Sequence, residues 1–127
     1  MIRGEKMNII QIFTEYYLRG TRTTILISLI TVFCGAILGC IVALMRISNC
    51  KPLQAFSKLY ITVIRGTPML LQLYFFYFGL PMLIPALNKQ KFLCIAIALI
   101  CNSAAYVSEV IRSGIQAVDP GQREAAL

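Results

Sequence analysis

The chain has 127 residues, of which 58% are hydrophobic and only 13% charged, and its formal net charge is +7. Soluble domains carry roughly 25% charged residues, and a soluble domain this small could not bury so much apolar surface. The composition therefore excludes an ordinary soluble domain. In a membrane protein, the basic excess favours anionic lipid headgroups as partners rather than nucleic acid.

Three long stretches lack Asp, Glu, Lys and Arg, namely residues 23–45, 66–88 and 92–108. As helices, the first two would reach about 35 Å, which exceeds a hydrocarbon core of about 30 Å. The third is near the lower limit and extends through Ile111 only if the membrane tolerates Glu109. We therefore predict an all-α integral membrane protein with spans at about 23–45, 67–87 and 91–112.

Residues 1–22 form a mixed arm in which isoleucines and aromatic residues are interleaved with polar ones. This pattern predicts an amphipathic helix that lies in the membrane interface and orients the first span. A frayed arm with fortuitous spacing is the alternative, and the residues do not separate the two.

Small residues recur every four positions in the first span, at Thr31, Gly35, Gly39 and Ala43. The spacing stacks them on one helix face, where another helix can approach closely. We predict packing against a second helix inside a bundle, in preference to homodimerisation.

The loop after the first span contains signals for a helix and then a break. Pro52 can open a short amphipathic interfacial helix. Thr67 precedes Pro68, which moves the Thr67 backbone away from α geometry and predicts that its hydroxyl caps a fresh helix. Gly66 makes this join flexible or tightly packed. Gly79, Pro81 and Pro85 are expected to break the second span at the far surface.

The chain offers no groups for catalysis or metal binding. It has five cysteines, without the C-x-x-C spacing, and no histidine. Four of the cysteines lie within proposed spans, where packing in the lipid-embedded core is expected. A phosphate-cradling glycine loop and paired carboxylates within a span are also missing from the sequence. We predict that the chain carries no catalytic site and no metal site.

Three ordered segments resemble one family. They are RGTPMLLQL at residues 65–73, AYVSEVIRSGIQ at 105–116 and GQREAA at 121–126. The first resembles the signature around the second core helix of polar amino acid ABC permeases (histidine, glutamine and glutamate type), and the second is similar to the exit of their third helix. The last resembles the opening of their Glu-Ala-Ala loop.

The resemblance implies a permease core of five helices, of which this chain would supply the first three and the interfacial arm. It covers about half of a family member, so the two remaining spans and the glycine after the Glu-Ala-Ala triplet are expected beyond Leu127. The resemblance implies that residues 113–127 begin a cytosolic coupling loop, which contacts an ATP-hydrolysing partner. The coupling residues it assigns are Gly121, Gln122, Arg123, Glu124, Ala125 and Ala126.

Other residues of the matching segments are assigned structural or coupling roles: Arg65, Gly66, Thr67, Pro68, Glu109, Arg112 and Gly114. Glu109 and Arg112 are three apart on a helix and are predicted to form an ion pair, which makes the carboxylate tolerable at the membrane boundary. The pair either sets the angle at which the third span enters the coupling loop or is a purely structural contact. We favour the structural role, with coupling as its consequence. Arg65 either faces lipid or holds the loop beside the partner.

Polar side chains deeper in the second and third spans are few: Gln72 in the second, and Asn102 and Ser103 in the third. In lipid such groups usually face protein or water. They are candidates for the amino acid pathway, in which amides would bind a zwitterion without a fixed charge. Their alternative role is to bond one helix to another, and this is the interpretation we favour.

The resulting prediction is a non-catalytic permease subunit of an ATP-driven importer for polar amino acids. Its expected partners are an ABC ATPase dimer, an extracytoplasmic amino acid-binding protein, a second permease subunit and lipid, with ATP and magnesium bound only by the ATPase.

Basic residues number six on each side and do not decide the orientation. The resemblance implies a multi-pass cell membrane protein with an external N-terminus and cytosolic residues 46–65 and 113–127. The alternatives are a truncated, non-transporting membrane anchor and, much less favoured, a membrane enzyme.

Overall fold

The computed structural model describes residues 2–118 and 121, with side chains described from residue 8 onward within these ranges. All regular structure in this part is helical, as predicted. The helices are α1 (Ile2–Ile47), α2 (Lys51–Gly66), α3 (Met69–Tyr74), a π-helical segment (Phe75–Gly79), α4 (Leu80–Leu83), a 3₁₀ turn (Pro85–Lys89) and α5 (Lys91–Gln116).

The predicted arm and the predicted first span form one uninterrupted helix. Helix α1 has 46 residues, which corresponds to a length of about 69 Å. No break marks the expected boundary at residue 22, because nothing in the sequence there interrupts the backbone hydrogen bonds. The arm is therefore continuous with the first span, and its location in the membrane interface stays a prediction.

Helix α2 begins with proline in its first turn, as predicted. Its inner face buries Ser57 and Ile61, and the Tyr60 hydroxyl donates a hydrogen bond of 2.5 Å to the carbonyl of Cys101 in α5. The apolar side chains of Phe56 and Val63 are exposed. Helix α2 packs against both α1 and α5, and its buried face lies at Ser57 and Ile61.

The chain bends by 105° between α2 and the helical segment Met69–Leu83. Thr67 has the predicted extended backbone, with φ −110° and ψ 144°. The predicted cap is wrong, however, because no side chain caps α3. The Thr67 hydroxyl instead donates to the carbonyl of Val63 at 2.9 Å, one of the carbonyls that the end of α2 leaves without a helical partner.

The second predicted span does not end at Gly79 or Pro81. Regular α-helix stops earlier, at Tyr74, but the chain stays helical through both residues to Leu83. Pro81 has no N–H, so the carbonyl of Tyr77 loses its usual α-helical donor. The Lys91 ammonium donates to that carbonyl at 3.0 Å instead. The break that does occur lies at Ile84, which is extended and precedes Pro85.

Helices α1 and α5 form the main helix pair. Gly35 lies next to Ser103 and Gly39 next to Val107, so residue numbers rise in the same direction along both helices, which shows that they run parallel. A Cβ atom on Gly35 would lie 2.6 Å from the Ser103 Oγ, and one on Gly39 would lie 2.8 Å from the Val107 Cβ. Ala43, the next residue of the stripe, is fully buried. The small-residue stripe is therefore a helix contact within the bundle, as predicted.

Two helical stretches are long and apolar enough to cross a membrane, Asn8–Ile47 and Lys91–Gln116, and a third span arises if the bent pair is counted as one. The buried hydrophobic residues are few and mostly small: Ala43, Ile61, Cys94, Ala96, Ala98, Ala104 and Ala105. Large apolar side chains such as Phe33 and Leu70 are instead exposed. Such a surface fits contact with lipid or with other membrane helices. The five cysteines are all free.

Candidate functional site

An ionic cluster lies where α1, α2 and α5 meet. The Glu109 carboxylate, on α5, accepts a hydrogen bond of 3.1 Å from Arg112. Its oxygens also lie 3.6 Å from a guanidinium nitrogen of Arg46 and 4.0 Å from one of Arg65. We call these four residues the Glu109 cluster. One carboxylate thus makes ion pairs with arginines from three helices.

Local sequence explains how the arginines reach one point. Arg46 lies in the last turn of α1 and Arg65 in the last turn of α2. Cationic side chains are favoured in the last turn by the partial negative charge of a helix C-terminus. Arg112 follows Glu109 by three residues and therefore lies on the same face of α5. Three arginines beside a single acid leave the cluster with an excess of two positive charges.

The predicted ion pair of Glu109 and Arg112 is confirmed, but it is only part of the arrangement. Arg65 does not simply face lipid, because its guanidinium lies 5.3 Å from the centre of the Tyr106 ring. Arg112 also donates to the Gln116 side chain at 2.6 Å. Sequence reasoning missed Arg46 as a partner of Glu109. The signal was present, since residues 46–65 and 113–127 were assigned to one side of the membrane and Arg112 immediately precedes the second of these ranges.

A second polar network fixes the bend between α2 and α3. Gln72 is 7% exposed, and its Nε2 lies 2.7 Å from the carbonyl of Ile64 and 2.7 Å from the Thr67 hydroxyl. Its Oε1 accepts a hydrogen bond of 2.9 Å from Asn102 on α5. Gln72 therefore joins three helices, which supports the helix-bonding interpretation of Gln72 and Asn102. A role in the substrate pathway stays a prediction.

The remaining predicted residues fall into three groups. Ser103 lies between α5 and α1, against Gly35. Gly66 and Gly114 are not required by close packing, because an added Cβ would meet nothing within 4 Å at either position in the described part. Pro68 has φ −61° and ψ 135° and immediately precedes α3, so it marks the bend.

The predicted coupling loop is only partly described. Gly121 is helical and exposed, and it follows the end of α5 at Gln116 by five residues. Gln122, Arg123, Glu124, Ala125 and Ala126 lie outside the described residues. Within the described residues, no group of three or more cysteine and acidic side chains is placed to hold a metal ion.

Comparison with known proteins identifies the class of this fold. Residues 38–127 match the family described as "Binding-protein-dependent transport system inner membrane component". The arginine transport system permease protein ArtQ of Bacillus subtilis is 44% identical over 112 residues, which cover 88% of this chain and 51% of that protein. The putative glutamine transport system permease protein GlnP of Rickettsia conorii is 42% identical over 111 residues, which cover 87% of this chain and 50% of the relative.

A solved structure described as an amino acid ABC transporter with histidines aligns with a TM-score of 0.79 and 44% identity, covering 90% of this chain and 52% of that one. The fold is thus that of an all-α membrane component of a transport system. The chain belongs to the family of binding-protein-dependent transport system inner membrane components. It spans about half the length of the curated relatives that it resembles.

Proposed function

We propose that this chain forms part of the membrane permease of an ATP-driven importer for polar amino acids. ArtQ of Bacillus subtilis is named for arginine transport and GlnP of Rickettsia conorii for glutamine transport. The observation that carries the proposal is the Glu109 cluster, which joins the ends of α1, α2 and α5 immediately before residues 117–127. A motion of those residues would therefore reach three helices together.

The proposed mechanism requires no chemistry on this chain. An ABC ATPase dimer would bind ATP and magnesium, and its closure would move the coupling residues Gly121 to Ala126. Because Glu109 makes ion pairs across three helix ends, α5 would move together with α1 and α2 rather than tilt alone. The spans would then alternate between outward and inward access. An external binding protein would deliver the amino acid, and a second permease subunit would complete the pathway.

The proposed topology has the N-terminus outside and residues 46–65 and 113–127 in the cytosol. It is supported by the resemblance to the permease family, because the basic residues, six on each side, do not decide the orientation. Reaction of Cys50 with a membrane-impermeant maleimide tests this. Labelling should require opening of the membrane, whereas labelling of intact cells would contradict the topology.

Transport is tested by uptake in cells that lack their own polar amino acid importers. The gene, read through its complete reading frame, is expressed with the ATPase and binding protein of the same genome. ATP-dependent accumulation of radiolabelled arginine or glutamine is the expected result. The absence of uptake of either, despite membrane insertion and assembly with the ATPase, would refute the proposed substrate class.

Contact with the ATPase is tested separately by pull-down after the substitution Glu124→Lys. Reversal of this charge should weaken association, because charged groups at a docking edge contribute through pairing with the partner. The variant Glu15→Lys, which makes the same change on the exposed arm of α1, is the matched control and should bind normally. Equal association of both variants would remove Glu124 from the docking surface.

A further inference from the structure

A groove lined by basic residues runs between α1 and α2 beside the Glu109 cluster. Two adjoining clefts share Arg46 and Lys58; one continues to Arg65 and the other to Lys51. We call these four residues the basic groove. The only acidic residue that lines it in the described part of the chain is Glu109.

Helix α2 arranges three of the four cations in a line. Lys51, Lys58 and Arg65 are seven residues apart, which is close to two helical turns, so they share one face. The neighbouring face carries the exposed apolar side chains of Phe56, Leu59 and Val63. A helix with adjoining basic and apolar faces has the pattern of a segment that lies along a membrane surface.

The cations of the groove have hydrogen-bonding capacity that the described residues do not use. Lys51 and Lys58 are exposed, and neither makes a side-chain hydrogen bond or ion pair within the described part. Arg46 and Arg65 approach Glu109 at 3.6 Å and 4.0 Å, and the shortest contact of that carboxylate is with Arg112. The groove therefore contains four cations and one carboxylate, and the shortest contact of that carboxylate is with Arg112, which does not line the groove. The positive excess that remains is complementary to an anion.

We propose that the basic groove binds the headgroup phosphate of an anionic phospholipid. The groove runs along α2 from Lys51 in its first turn to Arg65 in its last turn, and it passes the C-terminal end of α1 at Arg46. A lipid there would have its phosphate beside Arg46 and Lys58, which line both clefts, and its acyl chains beside the exposed apolar side chains of α2. Inorganic phosphate has the same charge chemistry but gains nothing from the apolar face. The composition predicts contact of the basic residues with lipid in general, whereas this inference assigns one site. It does not depend on the proposed transport activity.

Native mass spectrometry of the chain in detergent tests the proposal by titration with phosphatidylglycerol and, separately, with phosphatidylcholine of the same acyl chains. We expect preferential binding of phosphatidylglycerol. The double substitution Lys51→Gln and Lys58→Gln should lower that affinity about tenfold, because each basic residue near an anionic lipid surface contributes appreciably to attraction. The double substitution Lys51→Arg and Lys58→Arg should retain binding, since it keeps both charges.

A charge-matched control removes two cations that do not line the groove, Arg22 in the interior of α1 and Lys89 before α5, by Arg22→Gln and Lys89→Gln. This variant should leave binding unchanged. Equal losses of phosphatidylglycerol affinity in the groove and control variants would show that binding depends only on net charge, which would overturn the proposed site. Displacement of the lipid by millimolar inorganic phosphate would overturn the assignment to a lipid. Unchanged lipid binding by the Lys51→Gln and Lys58→Gln variant, accompanied by loss of ATPase association, would also overturn that assignment. The groove would then be a protein-docking surface.

Discussion

The contact between α1 and α5 has two parts that hold the same helices by different means. In the middle, Gly35 and Gly39 allow approach so close that an added Cβ would lie within 3 Å of α5 side chains. At the cytosolic end, as proposed, Glu109 joins α5 to Arg46 of α1 through an ion pair that is partly exposed. The middle contact permits little change without a clash, whereas the ionic contact keeps the helix ends joined while its distances change. The contact between α1 and α5 is therefore rigid in its middle and adjustable at its ionic end.

The largest expected effect comes from the fixed middle. Gly39→Leu should destabilise the chain by about 3 kcal/mol or more, because the new side chain must displace Val107 and α5. Gly20→Leu is the matched control in the same helix, since a Cβ there meets nothing within 4 Å. Thermal stability in detergent, followed by size-exclusion chromatography, should separate the two variants. Equal stability would show that the helices do not pack through Gly39.

The next largest effect should come from the ionic end. Glu109→Gln leaves Arg46, Arg65 and Arg112 close together without their carboxylate. We expect a loss of about 1 to 3 kcal/mol, between the values typical of exposed and buried ion pairs. Glu15→Gln, at an exposed position of α1, should have no effect in the same assay.

An exchange of charges tests whether the cluster extends beyond one pair. The double substitution Glu109→Arg with Arg112→Glu should not restore stability, because Arg46 and Arg65 would then face a third guanidinium in place of the carboxylate. Recovery of the melting temperature in the exchanged variant would reduce the cluster to its Glu109 and Arg112 pair.

Substitution of Gln72 should have a smaller effect. Gln72→Leu removes the bonds to Ile64, Thr67 and Asn102, and hydrogen bonds between membrane helices contribute about 0.6 kcal/mol on average. A loss of about 1 kcal/mol is expected, with greater cleavage by proteases at the bend. Gln11→Leu, on the exposed face of α1, is the control. If Gln72→Leu abolishes uptake without changing stability, the pathway role is favoured over the structural one.

The smallest effect is expected at the opposite end of α5. Lys91→Met removes the donor to the Tyr77 carbonyl and a cation 4.7 Å from the Tyr77 ring centre. About 0.5 to 1 kcal/mol should be lost, the size of a partly exposed cation–π contact. Lys89→Met changes an exposed lysine two residues away and should be neutral. The same melting assay measures the difference between the two variants. Identical melting temperatures would show that the Tyr77 carbonyl does not need the Lys91 ammonium in place of the N–H that Pro81 lacks.

The sequence was sufficient to predict the elements that depend on local pattern. The apolar stretches predicted a helical membrane protein, the spacing of Gly35 and Gly39 predicted a helix contact, and Glu109 and Arg112 were paired because they are three residues apart. The motifs also led to the family. These features follow from helical periodicity and need no knowledge of which helices are neighbours.

Features that depend on tertiary neighbours were predicted incompletely or wrongly. Thr67 was expected to cap α3, but its hydroxyl contacts the preceding helix, a choice that a local motif does not decide. Arg46 was not paired with Glu109, because 63 residues separate them in the sequence. Pro81 was expected to end a helix. The turn after α4 instead brings Lys91 close to the Tyr77 carbonyl, where its ammonium donates the hydrogen bond that Pro81 cannot donate. The coupling residues from Gln122 onward remain predictions.

The most direct test of the account is the coupling between ATP hydrolysis and uptake in proteoliposomes that contain the assembled transporter. If the Glu109 cluster moves the three helix ends together, Glu109→Gln should retain ATPase association and basal hydrolysis. The number of amino acids imported per ATP should fall severalfold, as expected from loss of a coupling interaction of about 1 kcal/mol or more. Glu15→Gln should match the unchanged protein. An unchanged ratio in Glu109→Gln, with normal assembly, would contradict the assigned role of the cluster.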